Sequence, residues 1–281
     1  MNKQSANALP DQIIPVILAG GAGYRLKPWS RPSCPKPFLK WRGQSLLQDT
    51  LARVKDARAL VLCHQDHLDL ARQQSMAVHP SCRFLVEPSM KNTGPAIAAA
   101  AAYIIYQYGP QAVMLVLPSD HAIDDPSFLR AAVRDNLATL GQGILSFGIK
   151  PRGPSTRYGY IVSNQGRTHF TEKPDKHKAK DLISRNACWN SGIWMAQAAT
   201  IRDAYKIHAE EVWQNAEQAV TYARHEGDAS FLEARVYDRN PSVAVDCMIM
   251  EKYPALHCCT LPVKWRDLGT WPSMVAHLCG L

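Results

Sequence analysis

Four apolar runs alternate with stretches of helical periodicity in the first half of the chain. The runs are Ile13–Ala19, Ala59–Cys63, Arg83–Val86 and Ala112–Leu117, and each has the length and composition of a strand. Between them, apolar positions recur at helical spacing over Ser45–Lys55, His67–Met76 and Gly94–Tyr108. Because the runs are apolar throughout, both faces of each strand should be covered. The pattern therefore predicts an α/β protein with a mostly parallel sheet and helices on both faces.

Pro15 interrupts the first of these runs. Proline has no amide hydrogen, so a strand tolerates it only at its beginning, where the ladder needs no donor. After Gly143 the periodicity weakens, and short hairpin strands are expected around Tyr160 and Phe170, with helices near residues 197–223 and 241–253. No composition break separates a second domain. We therefore expect a single domain over residues 1–281, with residues 1–11 as a flexible tail.

The composition is that of an ordinary globular protein, with 46% hydrophobic and 20% charged residues. No run approaches the roughly 18 apolar residues of a membrane span, and the polar N-terminus does not resemble a signal peptide. The eight cysteines include no CxxC pair, which argues against a zinc ribbon or a disulfide framework. A cytoplasmic protein with reduced thiols and no membrane contact is expected.

The net charge of +8 suggests an anionic partner. Six basic residues and no acidic one lie between Arg25 and Arg42, and residues 150–180 hold eight basic against two acidic residues. The remainder of the chain is net negative. Such a focused distribution favours a phosphate-binding pocket over a broad nucleic-acid surface, so no nucleic-acid partner is expected.

The first predicted strand runs directly into a glycine-rich segment, GGAGYRL at residues 20–26. Backbone amides there can approach phosphate closely because side chains are absent. Leu26 stands where a dinucleotide-binding fingerprint has its last glycine, which disfavours that motif. The Gly-Lys-Ser/Thr of a Walker A loop is missing as well. Taken alone, the glycines fit a structural turn as well as a phosphate loop.

The wider string LAGGAGYRLKP, followed by SR at 30–31 and PKPFL at 35–39, resembles the signature of sugar-1-phosphate nucleotidyltransferases of the mannose-1-phosphate guanylyltransferase branch. Further segments resemble that branch in the same order: EP at 87–88, NTGPAIA at 92–98, LPSDH at 117–121, YGYI at 158–161, FTEKPD at 170–175, WNSG at 189–192, VD at 245–246 with MEK at 250–252, and WRDLGTW at 265–271. The resemblance implies a Rossmann-like nucleotide-diphospho-sugar transferase fold. It also implies Mg²⁺-dependent transfer of GMP from GTP to a hexose 1-phosphate, above all mannose 1-phosphate, with release of pyrophosphate.

The same resemblance implies the site residues. A reaction that brings four phosphates together needs charge neutralisation and in-line positioning more than a covalent nucleophile. The implied catalytic residues are Arg25, Lys36, Asp120 and Asp267, with Asp120 and Asp267 as the Mg²⁺ ligands. The implied nucleotide contacts are Leu18, Gly20, Gly21, Gly23, Glu87, Asn92, Thr93 and Ser119. The implied sugar-phosphate contacts are Gly159, Glu172, Lys173 and Asn190.

Structural roles stay open for several of these residues. Asp120 could be a helix N-cap and Asp267 a turn residue, while Asn92 or Thr93 could cap the alanine-rich helix that follows. A solvated loop position is the alternative for Lys36. His121 is expected to be structural or to support the residues that contact the substrate.

Three residues depart from the family pattern: Tyr24, Lys27 and Arg157 stand where Thr, Trp and Gly are usual. They leave open the same fold acting with another base, or on another sugar or cyclic polyol phosphate. A non-catalytic regulatory relative and a homo-oligomer also stay open. The chain stops ten residues after Trp271, so no C-terminal β-helix or isomerase domain is expected.

Overall fold

The structure, a computed structural model, describes residues 8–21, 26–164 and 167–279. The strands are β1 Ile13–Leu18, β2 Lys40–Trp41, β3 Gln44–Ser45, β4 Leu60–His64, β5 Arg83–Glu87, β6 Val113–Pro118, β7 His121–Ile123, β8 Ile144–Ile149, β9 Tyr160–Asn164, β10 Arg167–Thr171, β11 Cys188–Gln197, β12 Arg224–Glu226, β13 Ala229–Phe231, β14 Leu256–Leu261 and β15 Trp265–Asp267. The helices are α1 Leu46–Ala52, α2 Leu68–Met76, α3 Thr93–Tyr108, α4 Pro126–Leu137, α5 Lys176–Ser184, α6 Ala198–His208, α7 Glu210–Thr221, α8 Ala234–Tyr237 and α9 Trp271–Leu278.

The four strands and three helices predicted for the first half are confirmed as β1, β4, β5, β6 and α1 to α3. Helix α1 begins where its capping box requires. The Ser45 hydroxyl accepts from the Gln48 amide, and the Gln48 side chain accepts from the Ser45 amide. The helix ends at Ala52, three residues before the predicted end at Lys55.

One large sheet runs through the described residues, with eleven strands in the order β10-β9-β11-β6-β1-β4-β5-β13-β12, while β8 pairs with β11 and β14. Strands β6, β1, β4, β5 and β13 form a parallel block, and β14 is parallel to β8. Strand β11 runs antiparallel to both β6 and β8 and joins the two parallel blocks. The predicted mixed, mostly parallel sheet is confirmed.

Pro15 is the third residue of β1, not the first, and the expectation that it begins the strand is wrong. Alternate residues of a strand direct their amides to the same neighbour. The Ala19 amide donates to Leu62 just beyond β1, so the Pro15 nitrogen also faces β4. Pairing with β4 begins at Val16, one residue later, and no ladder donor is missing.

Alternate side chains of β1 enter two separate apolar layers. Ile14 and Val16 pack in the layer that contains α3, α6 and α7, whereas Ile13 and Ile17 pack in the layer with α1, α2 and α4. This explains the uninterrupted apolar runs, because each face of the sheet is covered by helices. Helix α3 is apolar on nearly all sides because it lies between the sheet and the α6–α7 pair.

The second half differs more from the expectation. The hairpin β9–β10 and the helices α6 and α7 are confirmed, but the predicted helix at 241–253 is wrong, since only a π-helical turn at Asp246–Met250 forms there. Strands β8, β11 and β14 were not predicted. At the N-terminus, Leu9 is buried in the core, and residues 1–7 lie outside the described residues. No helix in the described part of the chain is long and apolar enough to cross a membrane.

Candidate active site

The site lies where the parallel strands end. Strands β1, β4, β5 and β6 finish at the same edge of the sheet. The chain adds β4 and then β5 on one side of β1, and it adds β6 on the other side of β1. Ligands of open α/β sheets bind at such a reversal. A cavity of about 500 Å³ opens there, within the usual range for a small-molecule site.

All the predicted nucleotide contacts that are described line this cavity: Leu18, Gly20, Gly21, Glu87, Asn92, Thr93 and Ser119. Lys36 and Asp120 line it as well. Residues Gly23, Tyr24 and Arg25 lie outside the described residues. The residues that the sequence analysis singled out thus meet at one cavity, although they come from four separate segments of the chain.

The Glu87 carboxyl is buried directly beneath the glycine loop. Its Oε1 accepts a 2.6 Å hydrogen bond from the Tyr237 hydroxyl, and a Cβ atom at Gly20 would lie 2.6 Å from its Oε2. Burial raises the pKa of Glu87 to about 7, although the Tyr237 hydrogen bond opposes the shift. Glycine at position 20 is thus required by the close approach of the loop to this carboxyl.

Replacing Gly20 by alanine is expected to lower the free energy of unfolding by about 1–3 kcal/mol, because Glu87 is held by Tyr237 and cannot withdraw freely. Gly21→Ala is the matched control, since no atom of the described residues beyond its chain neighbours lies within 4 Å of a Cβ built there. Urea unfolding of both variants measures the difference. Equal stabilities would mean that the carboxyl yields to the added methyl group.

Glu87 also predicts a pH dependence of stability. Its pKa of about 7 in the folded protein lies above the ordinary value of 4.5, so the folded state keeps a proton that the unfolded state releases between these values. This contribution to stability falls as pH rises from about 4.5 to 7. Between pH 5 and pH 8, the free energy of unfolding of Glu87→Gln should therefore fall by about 2–3 kcal/mol less than that of the parent chain. Urea unfolding of both proteins at the two pH values tests this, and parallel profiles would contradict it.

Asn92 and Thr93 turn the chain into α3. Asn92 has a φ of 65°, in the left-handed region that asparagine tolerates, and its side chain accepts from the Thr93 amide. The Thr93 hydroxyl accepts from the Val245 amide at 2.9 Å. The capping alternative therefore applies to Asn92, while Thr93 joins the start of α3 to the opposite cavity wall.

A small antiparallel ribbon brings two distant carboxyls together. In the β7–β15 pair, Asp267 lies opposite His121, and the Leu268 amide donates to the Asp120 carbonyl. Ligand atoms of Asp120, His121 and Asp267 all lie within 4.8 Å of one another. The N-cap alternative for Asp120 is wrong, because Asp125 caps α4.

Lys36 inserts between these carboxyls. It is only 4% exposed, and its Nζ contacts Asp120 Oδ2 and lies 3.7 Å from Asp267 Oδ1. The solvated-loop alternative for Lys36 is therefore wrong. Burial would raise the pKa of Asp120, but the neighbouring His121 and Lys36 together lower it to about 2. Asp120 is consequently a carboxylate at neutral pH.

The residues of this cluster fit a divalent metal ion. Two ionisable carboxyls converge, and Asp267 is oriented by a 2.7 Å hydrogen bond from the Gly269 amide. Burial lowers the pKa of His121, and its buried Nδ1 has no hydrogen-bond partner among the described atoms. Two carboxylates, of which Asp120 lines the cavity, match the oxygen donors that Mg²⁺ prefers, whereas the imidazole is the softer donor.

The predicted sugar-phosphate residues form a second cluster beside the cavity. Asn190 donates to Asp246 Oδ1 at 3.1 Å, and Asp246 lines the cavity. A Cβ at Gly159 would lie 2.8 Å from Glu172 Oε2, so these two residues are in close contact. Lys173 forms an ion pair with Glu172. The four residues are brought together, but none of them forms the wall of the cavity itself.

Contacts are seen for two of the three unusual residues, and one of them, Arg157, borders Asp267. Arg157 lies 3.7 Å from Asp267 Oδ2 and over the ring of Tyr158, with 43% of its side chain exposed. The Lys27 carbonyl accepts from the Trp271 indole. Arg157 thus adds positive charge to the same carboxyl that Lys36 approaches.

Sequence reasoning missed several residues of the site. Asp246 was part of a matched segment without a role, yet burial and nearby Glu172 raise its pKa to about 6. Gly192 of β11 also lines the cavity. Tyr237 supports Glu87 from a segment without any recognisable motif, so no sequence signal could have identified it.

The family model for Nucleotidyl transferase matches residues 14–279. The chain therefore belongs to the nucleotidyl transferase family. Its named relatives include proteins called mannose-1-phosphate guanylyltransferase.

A mannose-1-phosphate guanylyltransferase of Sinorhizobium fredii is 36% identical over 278 residues, covering 94% of this chain and 54% of the relative. The protein of that name from Escherichia coli is 33% identical, with 93% and 59% covered. A crystal structure described as mannose-1-phosphate geranyltransferase from Thermus thermophilus has a TM-score of 0.81 at 27% identity, covering 96% of this chain and 80% of that one. The chain spans somewhat more than half the length of these curated relatives.

Proposed function

We propose that this chain transfers GMP from GTP to mannose 1-phosphate and releases pyrophosphate. The observation that carries the proposal is the convergence of Asp120, Asp267 and Lys36 at the edge of the cavity. Charged groups of both signs are needed there, to hold a metal ion and to neutralise phosphates. The names of the similar proteins support the mannose 1-phosphate acceptor.

The nucleotide would occupy the cavity between the glycine loop and the start of α3. Amides near Gly20 and Gly21 would contact the triphosphate, and Ser119 would lie beside it. Guanine presents N–H donors along one edge, and Glu87 and Asn92 offer acceptor oxygens at the cavity wall. This arrangement supports GTP as the donor.

In the proposed reaction, a phosphate oxygen of mannose 1-phosphate attacks the α-phosphorus of GTP. The bond from that phosphorus to the oxygen bridging the α- and β-phosphates breaks, and pyrophosphate leaves with this oxygen. Lys36 would neutralise charge at the α-phosphate, and Arg25 would stabilise the leaving pyrophosphate. Asp120 and Asp267 would hold Mg²⁺, which supplies further neutralisation of phosphate charge when bound.

The acceptor would lie against the cluster beside the cavity. Glu172 and Asn190 offer acceptors and donors for hexose hydroxyl groups, and the close contact of Gly159 with Glu172 leaves no space for a side chain there. Lys173 has a φ of 40°, a left-handed conformation that costs a lysine about 1–3 kcal/mol and often marks a functional position. When the acceptor binds, the Lys173 ammonium would leave its ion pair with Glu172 and pair with the sugar phosphate instead.

A matrix of nucleoside triphosphates against sugar phosphates, read by pyrophosphate release with Mg²⁺ present, tests the proposal. GTP with mannose 1-phosphate should give the highest kcat/KM. A different preferred base or acceptor would replace the proposed specificity while retaining the reaction class. No turnover with any pair would favour a non-catalytic regulatory relative.

Arg157 is the reason to include acidic sugar phosphates and cyclic polyol phosphates in this matrix. Its guanidinium lies beside Asp267, where a more anionic acceptor would gain a charge partner. If such an acceptor is preferred, Arg157→Gly should reduce that preference. Turnover of mannose 1-phosphate alone would exclude this second candidate.

A further inference from the structure

Two cysteines meet across a glycine at the far side of the sheet from β1. Cys188 begins β11 and Cys258 lies within β14, and both strands flank β8. A Cβ built on Gly148 of β8 would lie 2.6 Å from the Cys188 Cβ and 2.7 Å from the Cys258 Sγ. Both side chains therefore occupy the space above Gly148. A residue with a side chain at position 148 would fill that space. Both are partly exposed to solvent.

We propose that Cys188 and Cys258 form a redox-active thiol pair, which closes to a disulfide with a small-molecule disulfide such as glutathione disulfide as the oxidant. The Cys188 thiolate attacks one sulfur of the oxidant and expels a glutathione thiolate. Cys258 then loses its proton, attacks the Cys188 sulfur and expels the second glutathione thiolate. The pair gives up two electrons, and the oxidant becomes two molecules of glutathione.

Local hydrogen bonds divide the roles between the two thiols. The hydrogen bond from Cys258 and the Thr260 hydroxyl, 3.1 Å from the Cys188 Sγ, lower the pKa of Cys188 to about 6 although burial opposes this. The same interaction with Cys188, together with burial, raises the pKa of Cys258. Cys188 is thus the attacking thiolate at neutral pH, and Cys258 is the resolving thiol.

Closure must move part of the sheet. Strands β11 and β14 are separated by β8, so their backbones are about 9–10 Å apart, whereas Cα atoms in disulfides lie about 4.4–6.8 Å apart. Cys188 is the first residue of β11 and pairs with Ile161 of β9, and a register shift between Asn190 and Trp194 separates this end of β11 from the rest of its pairing with β8. The start of β11 is therefore the segment that would be drawn toward β14.

The movement would reach the proposed acceptor site. Asn190 lies two residues after Cys188 and donates to Asp246, which lines the cavity. Oxidation should therefore raise KM for the sugar phosphate several-fold, with a smaller effect on KM for GTP. This consequence for kinetics rests on the proposed function, whereas the thiol chemistry does not.

The test begins with the unmodified full chain in glutathione redox buffers. Blocking free thiols under denaturing conditions, followed by peptide mass spectrometry, should show a Cys188–Cys258 disulfide that dithiothreitol removes. Iodoacetamide should alkylate Cys188 fastest, with a pH midpoint below that of an ordinary thiol. Peptide mapping that finds both thiols free under oxidising conditions, or joined to other cysteines, would overturn the proposal.

Single variants identify the roles of the two thiols. Cys258→Ser should keep glutathione attached to Cys188, and Cys188→Ser should leave Cys258 unmodified. Cys259→Ser is the matched control, because Cys259 is the neighbouring residue but contacts Asn136 and the helical layer instead. Loss of the Cys188–Cys258 disulfide in this control would contradict the assignment. Disulfide formation without any transferase activity would refute only the proposed function, whereas activity without the disulfide would refute only the thiol pair.

Discussion

Asp267→Asn and Asp120→Asn should each reduce kcat for pyrophosphate release by about 10²–10³-fold or more. Each substitution removes a negative charge and one of the two converging carboxylates but keeps the size of the side chain. The Gly269 amide can still donate to the oxygen of an asparagine at position 267, so the local turn should persist. Initial rates at saturating GTP, sugar phosphate and Mg²⁺ measure the effect.

Asp203→Asn provides the control for the loss of one negative charge. Asp203 lies on α6 and pairs with the neighbouring Arg202 on the exposed surface, so its replacement should leave kcat within about twofold of the parent. Circular dichroism and urea unfolding show whether the three variants keep the fold. Folded Asp120 or Asp267 variants with near-parental rates would refute the metal assignment.

Lys36→Met should affect both stability and catalysis. Removing the ammonium leaves two carboxyls facing each other with only the more exposed Arg157 guanidinium nearby, which should cost about 2 kcal/mol at pH 7 without Mg²⁺. This is less than for a fully buried pair because Asp120 is partly exposed. Added Mg²⁺ should restore much of the loss, and kcat should remain about 10²-fold reduced because the metal ion cannot replace the charge at the α-phosphate.

The Mg²⁺ dependence of Tm separates these effects. The rise in Tm on adding Mg²⁺ should be larger for Lys36→Met than for the parent chain, because the ion would bind the two carboxyl groups that Lys36 contacts. Lys40→Met, an exposed lysine on β2, is the control and should behave like the parent. An equal Mg²⁺ response in the parent and Lys36→Met would show that Lys36 does not compete for the metal ligands.

The first half of the fold was predictable because its strands are buried on both faces and are therefore apolar at successive positions. Runs such as Ile13–Leu18 need no alternation, and a strand of this kind fits only inside a covered parallel sheet. Strand β11 was missed because its first half carries Asn190 and Ser191, whose polar side chains are satisfied by partners distant in sequence. Local periodicity contains no information about such partners.

The candidate site likewise combines residues that the sequence pointed to with contacts that depend on distant parts of the chain. Ser119 and Asp120 were singled out by the family resemblance, and they lie just after β6, where parallel strands bring their carboxyl ends to one edge. The contact of Lys36 with Asp120 and Asp267 depends on the β7–β15 ribbon, which pairs segments far apart in the chain. Likewise, no pattern in the sequence indicates that Tyr237 supports Glu87.

The central claim is that this cavity joins a nucleotide to a sugar phosphate through attack at the α-phosphorus. Phosphorus-31 NMR of the chain with GTP, mannose 1-phosphate and Mg²⁺ tests it most directly, because it resolves every phosphate in the reaction. The proposed reaction predicts equal amounts of pyrophosphate and a GDP-sugar, formed only when the sugar phosphate is present. Release of inorganic phosphate and GDP, or an unchanged spectrum with every acceptor, would contradict it.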